Sequence, residues 1–288
     1  GWQSEWDTTT NANITAVMLQ AIHLLGQAPE DDLWQKPEGN PASALLAVQA
    51  ESGAFGGDFA NAYSTADAIV ALAGRSLVNL GVLKLANNSF AYVFDAQEDN
   101  GGWGSMGQTL DTLIALRAAG WRPNTVAAGQ KSPLDYLAEN LQAYLETGPD
   151  AIGKAILGLI AAGEDPRDFN GFDLVETLED AYDQGVGVFG SPENTWHQAM
   201  PILALHAAGA EIPQGALTRL IDLQQADGGW EYTPGFGTFP DNTSIALQAL
   251  LAAGYAPDDP IAESAIQFLQ ANQTEDGGWS DSSSTAFA

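Results

Sequence analysis

Cysteine is missing from this 288-residue chain. Its absence excludes disulfides, thiolate nucleophiles, thioester chemistry and any zinc site that needs a sulfur ligand. Histidine is almost as scarce, because only His23, His197 and His206 are present and they form no cluster in the sequence. We therefore expect no bound metal and no cofactor.

Basic residues are also few, with 9 Lys and Arg against 37 Asp and Glu and a formal charge of −28. Such a negative field repels nucleic acid and anionic membrane surfaces, so we exclude both as partners. Two consequences of the charge stay open, namely solubility and the attraction of a cationic ligand. No run of apolar residues reaches the roughly 18 that a membrane-spanning helix needs, so no membrane span is expected.

The composition predicts a folded chain with a large core, since 45% of the residues are hydrophobic and only 16% are charged. The length fits one large domain or two ordinary ones. The sequence begins at Gly1, with neither a methionine nor a signal peptide. We expect from this a processed or excised piece of a protein that contains further domains.

Glycine and proline mark a repeat. Segments such as 117–123, "RAAGWRP", and 251–257, "LAAGYAP", end an Ala/Leu-rich helix with glycine and then proline. After each stop a second, amphipathic helix begins. The first helix of each pair, helix A, is predicted near 11–25, 63–74, 107–119, 150–162, 195–208 and 242–253. The second, helix B, is predicted near 40–51, 84–97, 132–146, 171–184, 214–226 and 260–272.

This helix pair recurs six times, every ~40–50 residues, a period typical of helical repeats. Helix A is hydrophobic almost all round, which is typical of a helix enclosed by others. We therefore predict an all-α fold in which the A helices form an inner ring and the B helices an outer one, an α6/α6 toroid. Residues 1–288 then form a single domain, with repeats at about 1–55, 56–103, 104–148, 149–189, 190–230 and 231–288.

A glutamine stands six places before an aromatic residue at the end of four B helices. The pairs are Gln49 with Phe55, Gln97 with Trp103, Gln224 with Trp230, and Gln273 with Trp279. A glutamine there can satisfy orphan polar groups at the helix end, and the aromatic ring can cover it and fill the gap between hairpins. We interpret these segments as structural joints.

The joint Gln-x-x-x-Gly-x-Trp resembles the QW motif of squalene–hopene cyclases and other class II triterpene cyclases. It is also similar to the prenyltransferase/squalene-oxidase repeats, so the chain resembles the terpenoid cyclase/protein prenyltransferase superfamily. That resemblance implies the α6/α6 toroid, a fold that serves several unrelated roles. The zinc chemistry of protein prenyltransferases and the thioester chemistry of complement domains both need the cysteine that this chain lacks.

A shorter stretch, "FGGDFANAYSTADAIVAL" at 55–72, resembles the cobalamin carriers of the transcobalamin and intrinsic factor group. The resemblance implies that the N-terminal ends of the inner helices face a ligand, with Tyr63, Ser64, Thr65 and Asp67 at the corresponding positions. Those carriers use a second, β-rich domain to close over the corrinoid. This sequence contains no such domain.

Class II cyclases carry Asp-x-Asp-Asp-Thr at the start of an inner helix, and its middle aspartate protonates the substrate. In "FPDNTSIALQAL", 239–250, Asp241 and Thr243 fall on the motif, while Phe239 and Asn242 replace the flanking aspartates. Aligning the repeats places Trp196 and His197 opposite Asp241 and Asn242. A catalytic pair of Asp241 and His197 is therefore one hypothesis, and a helix-capping role for Asp241 or Asn242 is the other.

The function we expect is a non-catalytic bacterial domain, secreted or on the cell surface, that binds a partner or a small apolar or ring-shaped molecule. Residues 231–242 form the longest irregular joint and are the best candidate for a functional loop. The alternatives are a cyclase-like enzyme with a degenerate acid motif and a structural spacer without a ligand-sized cavity. The predicted ligand-binding residues are Tyr63, Asp67, Trp196, His197, Trp230, Tyr232, Asp241 and Asn242.

Overall fold

A computed structural model describes residues 10–56, 60–74, 87–123, 131–275 and 277–279. The described residues are mostly helical, which confirms the predicted helical class. The start of the second predicted B helix, 84–86, lies outside them. So do residues 57–59 of the carrier-like stretch, residues 1–9 and everything after Trp279.

The six predicted A helices are present within two residues of their expected limits. Each ends near a glycine in the left-handed region, with φ between 65° and 96°, as the glycine–proline stops predicted. These helices are α1 (Ala12–Leu24), α3 (Ala62–Leu72), α5 (Met106–Ala118), α7 (Pro149–Ala162), α9 (Thr195–Ala207) and α11 (Pro240–Ala252).

The B helices are shorter than predicted, mostly at their C-terminal ends. Their last predicted residues instead form the joints that lead into the next A helix. They are α2 (Pro41–Ala47), α4 (Asn87–Asp95), α6 (Pro133–Leu145), α8 (Leu174–Asp180), α10 (Gln214–Asp222) and α12 (Pro260–Ala271). A short 3-10 helix, Asp32–Trp34, precedes α2.

Contacts between the A helices run in a closed circuit. Helix α1 packs against α3, and the contacts continue through α5, α7, α9 and α11 until α11 packs against α1. Each B helix packs on the outside of its own A helix. We therefore call the A helices the inner helices, and their nearly complete burial agrees with their apolar sequences.

The N-terminal ends of most inner helices are closed by side-chain caps. Asn11, Asn61, Ser105 and Asn194 each accept a hydrogen bond from a backbone N–H of the first turn. Helix α11 differs, because its N-cap is Phe239 and no side chain caps it. The prediction that Asp241 or Asn242 caps this helix is therefore wrong, since both lie inside its first turn.

Three joints share one hydrogen-bond pattern, shown here by the joint before α11. The Gln224 amide donates to the carbonyl of Gly228, at 2.9 Å. The Trp230 indole N–H donates to the carbonyl of Leu220, at 2.7 Å, in the last turn of α10. The Trp230 backbone N–H donates to the Thr243 hydroxyl of α11, at 3.0 Å. Thus the tryptophan satisfies the helix-end carbonyl and the glutamine satisfies the glycine carbonyl within the joint.

The other two joints of this kind are centred on Trp103 and Trp279, with indole bonds to Val93 and Leu269. All three tryptophans are fully buried. Their first glycines have a φ near 90° and lie directly against the start of another B helix, where a Cβ atom would collide with backbone. These glycines are Gly101, Gly228 and Gly277.

The last joint connects the two ends of the described chain. The Trp279 backbone N–H donates to the Thr15 hydroxyl of α1, at 3.1 Å, and the Asn11 N–H donates to the Trp279 carbonyl, at 2.9 Å. The Gln273 amide donates to the carbonyl of Trp34, at 3.1 Å. The sixth repeat is therefore joined to the first in the way that the fifth is joined to the sixth.

Two short antiparallel ribbons interrupt the helices. Strands β1 (Tyr182–Asp183) and β2 (Val188–Phe189) precede α9, and strands β3 (Trp230–Glu231) and β4 (Thr238–Phe239) precede α11. The second ribbon spans most of the irregular joint that the sequence singled out. It is anchored on α9 because the Thr195 hydroxyl donates to the Glu231 carbonyl, at 2.5 Å.

Candidate functional site

A small cavity lies where the six inner helices face one another. Each inner helix contributes one residue to a single layer of the cavity wall. In five of the helices this residue lies nine positions before the glycine that ends the helix, and in α3 it lies seven positions before it. The cavity volume is about 30 Å³, room for roughly two water molecules. The layer consists of Val17, Asp67, Asp111, Lys154, Met200 and Ile245.

Half of this layer is ionisable, and the three charged residues come from consecutive inner helices. The Lys154 ammonium donates to Asp111 at 2.7 Å, and both side chains are largely buried. Burial raises the pKa of Asp111, and Lys154 opposes that shift. Burial by itself would lower the pKa of Lys154, the charge and the hydrogen bond of Asp111 act in the opposite direction, and the net shift raises the pKa. The two residues form a buried ion pair.

Asp67 is the carboxyl group that has no cation of its own. Its Oδ2 accepts a hydrogen bond from the Asn13 amide at 3.1 Å. Burial, reinforced by the charge of Asp111, raises the pKa of Asp67 to about 8. At neutral pH this side chain is therefore mostly protonated, a buried neutral acid beside an ion pair.

One turn nearer the N-terminal ends, Tyr63 and Trp196 complete the wall. The Lys154 ammonium lies 5.2 Å from the centre of the Tyr63 ring. The charge of Asp67, together with burial, raises the pKa of Tyr63, so its phenol stays neutral. Helices α3 and α9 stand on opposite sides of the inner circuit, and the two aromatic residues therefore face each other across it.

A buried glutamine also points to the cavity. Gln20 lines it and is 1% exposed, and its Oε1 has no hydrogen-bond partner among the described residues. Gln248, in the adjacent helix α11, is equally buried and its Oε1 also has no partner. An unsatisfied buried carbonyl costs about 1–3 kcal/mol, and a hydrogen-bond donor bound beside Gln20 would remove that cost. Gln273, in the last joint, has the same unpartnered oxygen among the described residues.

The predicted pairing of Trp196 and His197 with α11 is found only in part. The Trp196 indole N–H donates to Asn242 Oδ1 at 2.7 Å. His197 lies instead beside Asp150 of α7, with Nε2 3.6 Å from Oδ1, and its Nδ1 accepts the Ser191 N–H. The carboxylate beside His197 is therefore that of Asp150, and not that of Asp241 as the sequence predicted. Asp241 Oδ1 accepts the backbone N–H of its neighbour, Asn242, at 2.7 Å.

Two further predicted ligand-binding residues lie away from the cavity wall. Trp230 is fully buried in its joint, so it has no surface to offer a ligand. Tyr232 and Phe236 are both exposed on the ribbon before α11 and contact each other edge to face, with ring centres 6.4 Å apart. The cavity brings together only Tyr63, Asp67 and Trp196 of the predicted residues, with Asn242 bonded to Trp196.

Sequence reasoning missed the other three polar residues of the cavity wall, Gln20, Asp111 and Lys154. A signal was present, because Lys154 is one of only 9 basic residues and stands inside the apolar segment "AIGKAILGLIAA". A charge in the middle of an enclosed helix needs a buried partner. Asp111 supplies it from the corresponding position of the preceding inner helix.

Within the described ranges, no group of three or more His, Asp or Glu residues is arranged to hold a metal ion. Nor does any described helix combine the length and the apolar character needed to cross a membrane.

No protein-family model matches the chain, and no curated protein matches it. Among solved structures, ent-copalyl diphosphate synthase from Streptomyces platensis aligns with 90% of this chain at 15% identity and a TM-score of 0.37. The alignment covers 44% of that synthase, so the chain spans less than half of its length. At this level of similarity the alignment assigns neither a family nor an activity.

Proposed function

We propose that the chain is an α6/α6 toroid of the terpenoid cyclase/protein prenyltransferase superfamily that binds a small molecule without transforming it. The closed circuit of inner helices and the repeated glutamine–tryptophan joints support the toroid. The ligand site is the central cavity, entered from the N-terminal ends of the inner helices between Tyr63 and Trp196.

The observation that carries the binding function is that Gln20, a residue of the cavity wall, has an Oε1 without a hydrogen-bond partner among the described residues. Buried polar atoms of folded proteins are almost always hydrogen-bonded, and exceptions call for an explanation. A donor in the cavity supplies one. A spacer domain gains nothing from an ion pair, a neutral acid and an orphan carbonyl around an internal space, because apolar residues of similar volume are often at least as stable.

The cyclase-like alternative is less well supported by the geometry. A cavity with room for about two water molecules is far smaller than a polycyclic hydrocarbon. Asp241, the predicted acid, accepts a backbone N–H, and the predicted partner His197 lies beside Asp150.

Native mass spectrometry of the purified domain, followed by thermal-shift measurements with amines, alcohols and carboxylic acids of four to eight carbons, tests the proposal. We expect a bound or stabilising molecule. Val17→Phe, which fills the cavity and leaves every charged residue of its wall unchanged, should reduce binding at least tenfold. Val17→Leu adds a single methylene and serves as the matched control. If no class of molecule binds, or if Val17→Phe binds as well as the unaltered protein, the proposal is wrong.

A further inference from the structure

We propose that the ligand of the central cavity is an organic cation, whose ammonium group binds between Asp67 and Gln20 while its carbon chain leaves between Tyr63 and Trp196. This inference rests on the proposed small-molecule binding and specifies the chemical class of the ligand. Four features of the site support it: the balance of charges, the hydrogen-bond acceptors, the aromatic walls and the state of the helix ends.

The charges around the cavity leave one carboxyl group without a cation. Two carboxyl groups and one ammonium line the central layer, and Lys154 is committed to Asp111 at 2.7 Å. Among the described residues, the one hydrogen-bond partner of Asp67 is the neutral amide of Asn13. An ammonium ion placed beside Asp67 would complete a second ion pair in the layer.

The ionisable groups nearer the N-terminal ends add to this preference. They are Asp150 on α7 and Asp241 on α11, and the charge of Asp241 acts on Tyr63. The described cationic or protonatable neighbours are Lys154, already paired, and His197, which lies beside Asp150. With a formal charge of −28 on the whole chain, the route to the cavity favours cations and opposes anions.

The wall of the cavity offers acceptors, which suits a ligand rich in donors. Among the described residues, Gln20 Oε1 has no partner, and the Asp67 carboxyl group accepts a hydrogen bond from the Asn13 amide at one oxygen, Oδ2. An ammonium group carries up to three N–H donors and no acceptor. It is close to a water molecule in size, so a space for about two waters accommodates it together with the first carbon of a chain.

The aromatic walls fit the same ligand. A resident ammonium, that of Lys154, already lies 5.2 Å from the centre of the Tyr63 ring, within the range of a cation–π contact. Trp196 faces it from the opposite side of the inner circuit and is partly exposed. A cation that enters along this path passes two electron-rich rings before it reaches Asp67.

Helix N-termini usually attract anions, but here side chains of the protein already bind or neutralise the N-terminal ends of the inner helices. Asn11, Asn61, Ser105 and Asn194 accept first-turn N–H groups of four inner helices. The remaining two inner helices carry an aspartate in the first turn, Asp150 in α7 and Asp241 in α11. These carboxylates offset the partial positive charge of the helix ends.

Binding of a cation should be linked to the release of a proton. Free Asp67 has a pKa of about 8 and is protonated below that pH, whereas a bound ammonium favours the carboxylate. The affinity should therefore rise as the pH approaches 8, by up to about tenfold per pH unit, and then level off. Because Asp111 is paired with Lys154 throughout, Asp67 is the group whose proton is lost.

The test compares butylammonium, butanol and butyrate as probes of equal length, by calorimetric and NMR titration at pH 6, 7 and 8. Butylammonium should bind at least tenfold more tightly than butanol, with affinity rising with pH and one proton released, as measured in two buffers of different ionisation enthalpy. Asp67→Asn keeps the shape of the side chain and should lose the pH dependence, the proton release and most of the affinity. Asp258→Asn, a change at an exposed carboxylate, should lose none of them.

The outcomes separate this inference from the proposed function. If butanol or butyrate binds as well as butylammonium and Val17→Phe blocks the binding, the cavity is a ligand site but the cation inference is wrong. The inference is equally overturned if butylammonium binds with the same affinity at all three pH values. If none of the probes binds and no molecule co-purifies with the domain, water alone fills the cavity and both proposals fail.

Discussion

At the scale of single residues, we expect the loss of the ion pair between Asp111 and Lys154 to reduce the free energy of unfolding most. The two atoms that form it lie 2.7 Å apart, and the exposed fractions of the side chains are 7% and 18%. A buried ion pair of this kind adds little compared with apolar residues, but each partner is costly without the other. The pair therefore holds α5 and α7 in register at the level of the cavity.

We expect Lys154→Met to reduce the free energy of unfolding by about 3–5 kcal/mol at pH 7, because it leaves the Asp111 carboxyl group buried without its partner. The double variant, in which Asp111→Leu is added, should recover a large part of the loss. Urea denaturation of the single and double variants measures both effects. The residues do not act as a pair if the loss of free energy in the double variant equals the sum of the losses in Lys154→Met and Asp111→Leu.

At the scale of elements, the joints explain how six hairpins with different sequences repeat the same geometry. Each tryptophan joint connects three elements: the B helix before it, through the indole N–H; the inner helix after it, through the backbone N–H; and another B helix, through its first glycine. The local sequence thus contains the donors, and neighbouring helices supply the acceptors.

We expect Trp230→Phe to reduce the free energy of unfolding by about 1–3 kcal/mol, since the carbonyl of Leu220 then loses its buried donor. Trp230→Ala should cost about 3–5 kcal/mol, because a cavity is added to that loss. Trp121→Phe is the matched control: Trp121 is 44% exposed, so its replacement should change stability by less than about 0.5 kcal/mol. Thermal and chemical denaturation measure all three.

At this scale the sequence was informative about where helices begin and less so about where they end. Prolines and capping residues such as Asn40 and Ser132 act within one turn, so they can be identified locally. The C-terminal ends of the B helices were placed too late because Gln49 and Gln224 continue the helical pattern. Their side chains bond to glycines of the joint instead of extending the helix.

At the scale of the whole molecule, the joint at Trp279 makes the arrangement circular. It links α12 to α1, and the contact between α1 and α11 adds to this connection. Residues more than 260 positions apart in the chain therefore depend on each other. An open stack of hairpins would show no such dependence.

We expect Trp279→Ala to increase amide hydrogen exchange in α1 (Ala12–Leu24) as well as in α12 (Pro260–Ala271), since both helices lose a partner in the same joint. Trp103→Ala is the control, and its effect should be confined to the helices around it, α4, α5 and α6. Hydrogen exchange read by mass spectrometry resolves these segments. Faster exchange in α12 alone would mean that the closing joint does not stabilise the first repeat.

The candidate site was predicted less well than the fold. Tyr63, Asp67 and Trp196 line one cavity, but His197 faces Asp150 and Trp230 is enclosed in a joint. Which residue of α7 or α11 meets His197 depends on how each helix is rotated about its axis. That rotation is set by packing over the whole circuit, and spacing within one repeat does not contain it.

By itself, the sequence determined the helical class, the six pairs of helices and the positions of their joints, since glycine, proline, capping residues and apolar periodicity act within a few residues. It assigned the helix-end carbonyl to the glutamine, whereas the structure gives it to the tryptophan indole. Only the tertiary structure showed that α11 returns to α1 and that Asp67, Asp111 and Lys154 occupy one layer. These residues lie 43 and 44 positions apart in the chain and become neighbours because successive inner helices pack side by side at equivalent positions. The cluster of two carboxyl groups and one ammonium therefore arises between repeats, and a pattern within one repeat does not contain it.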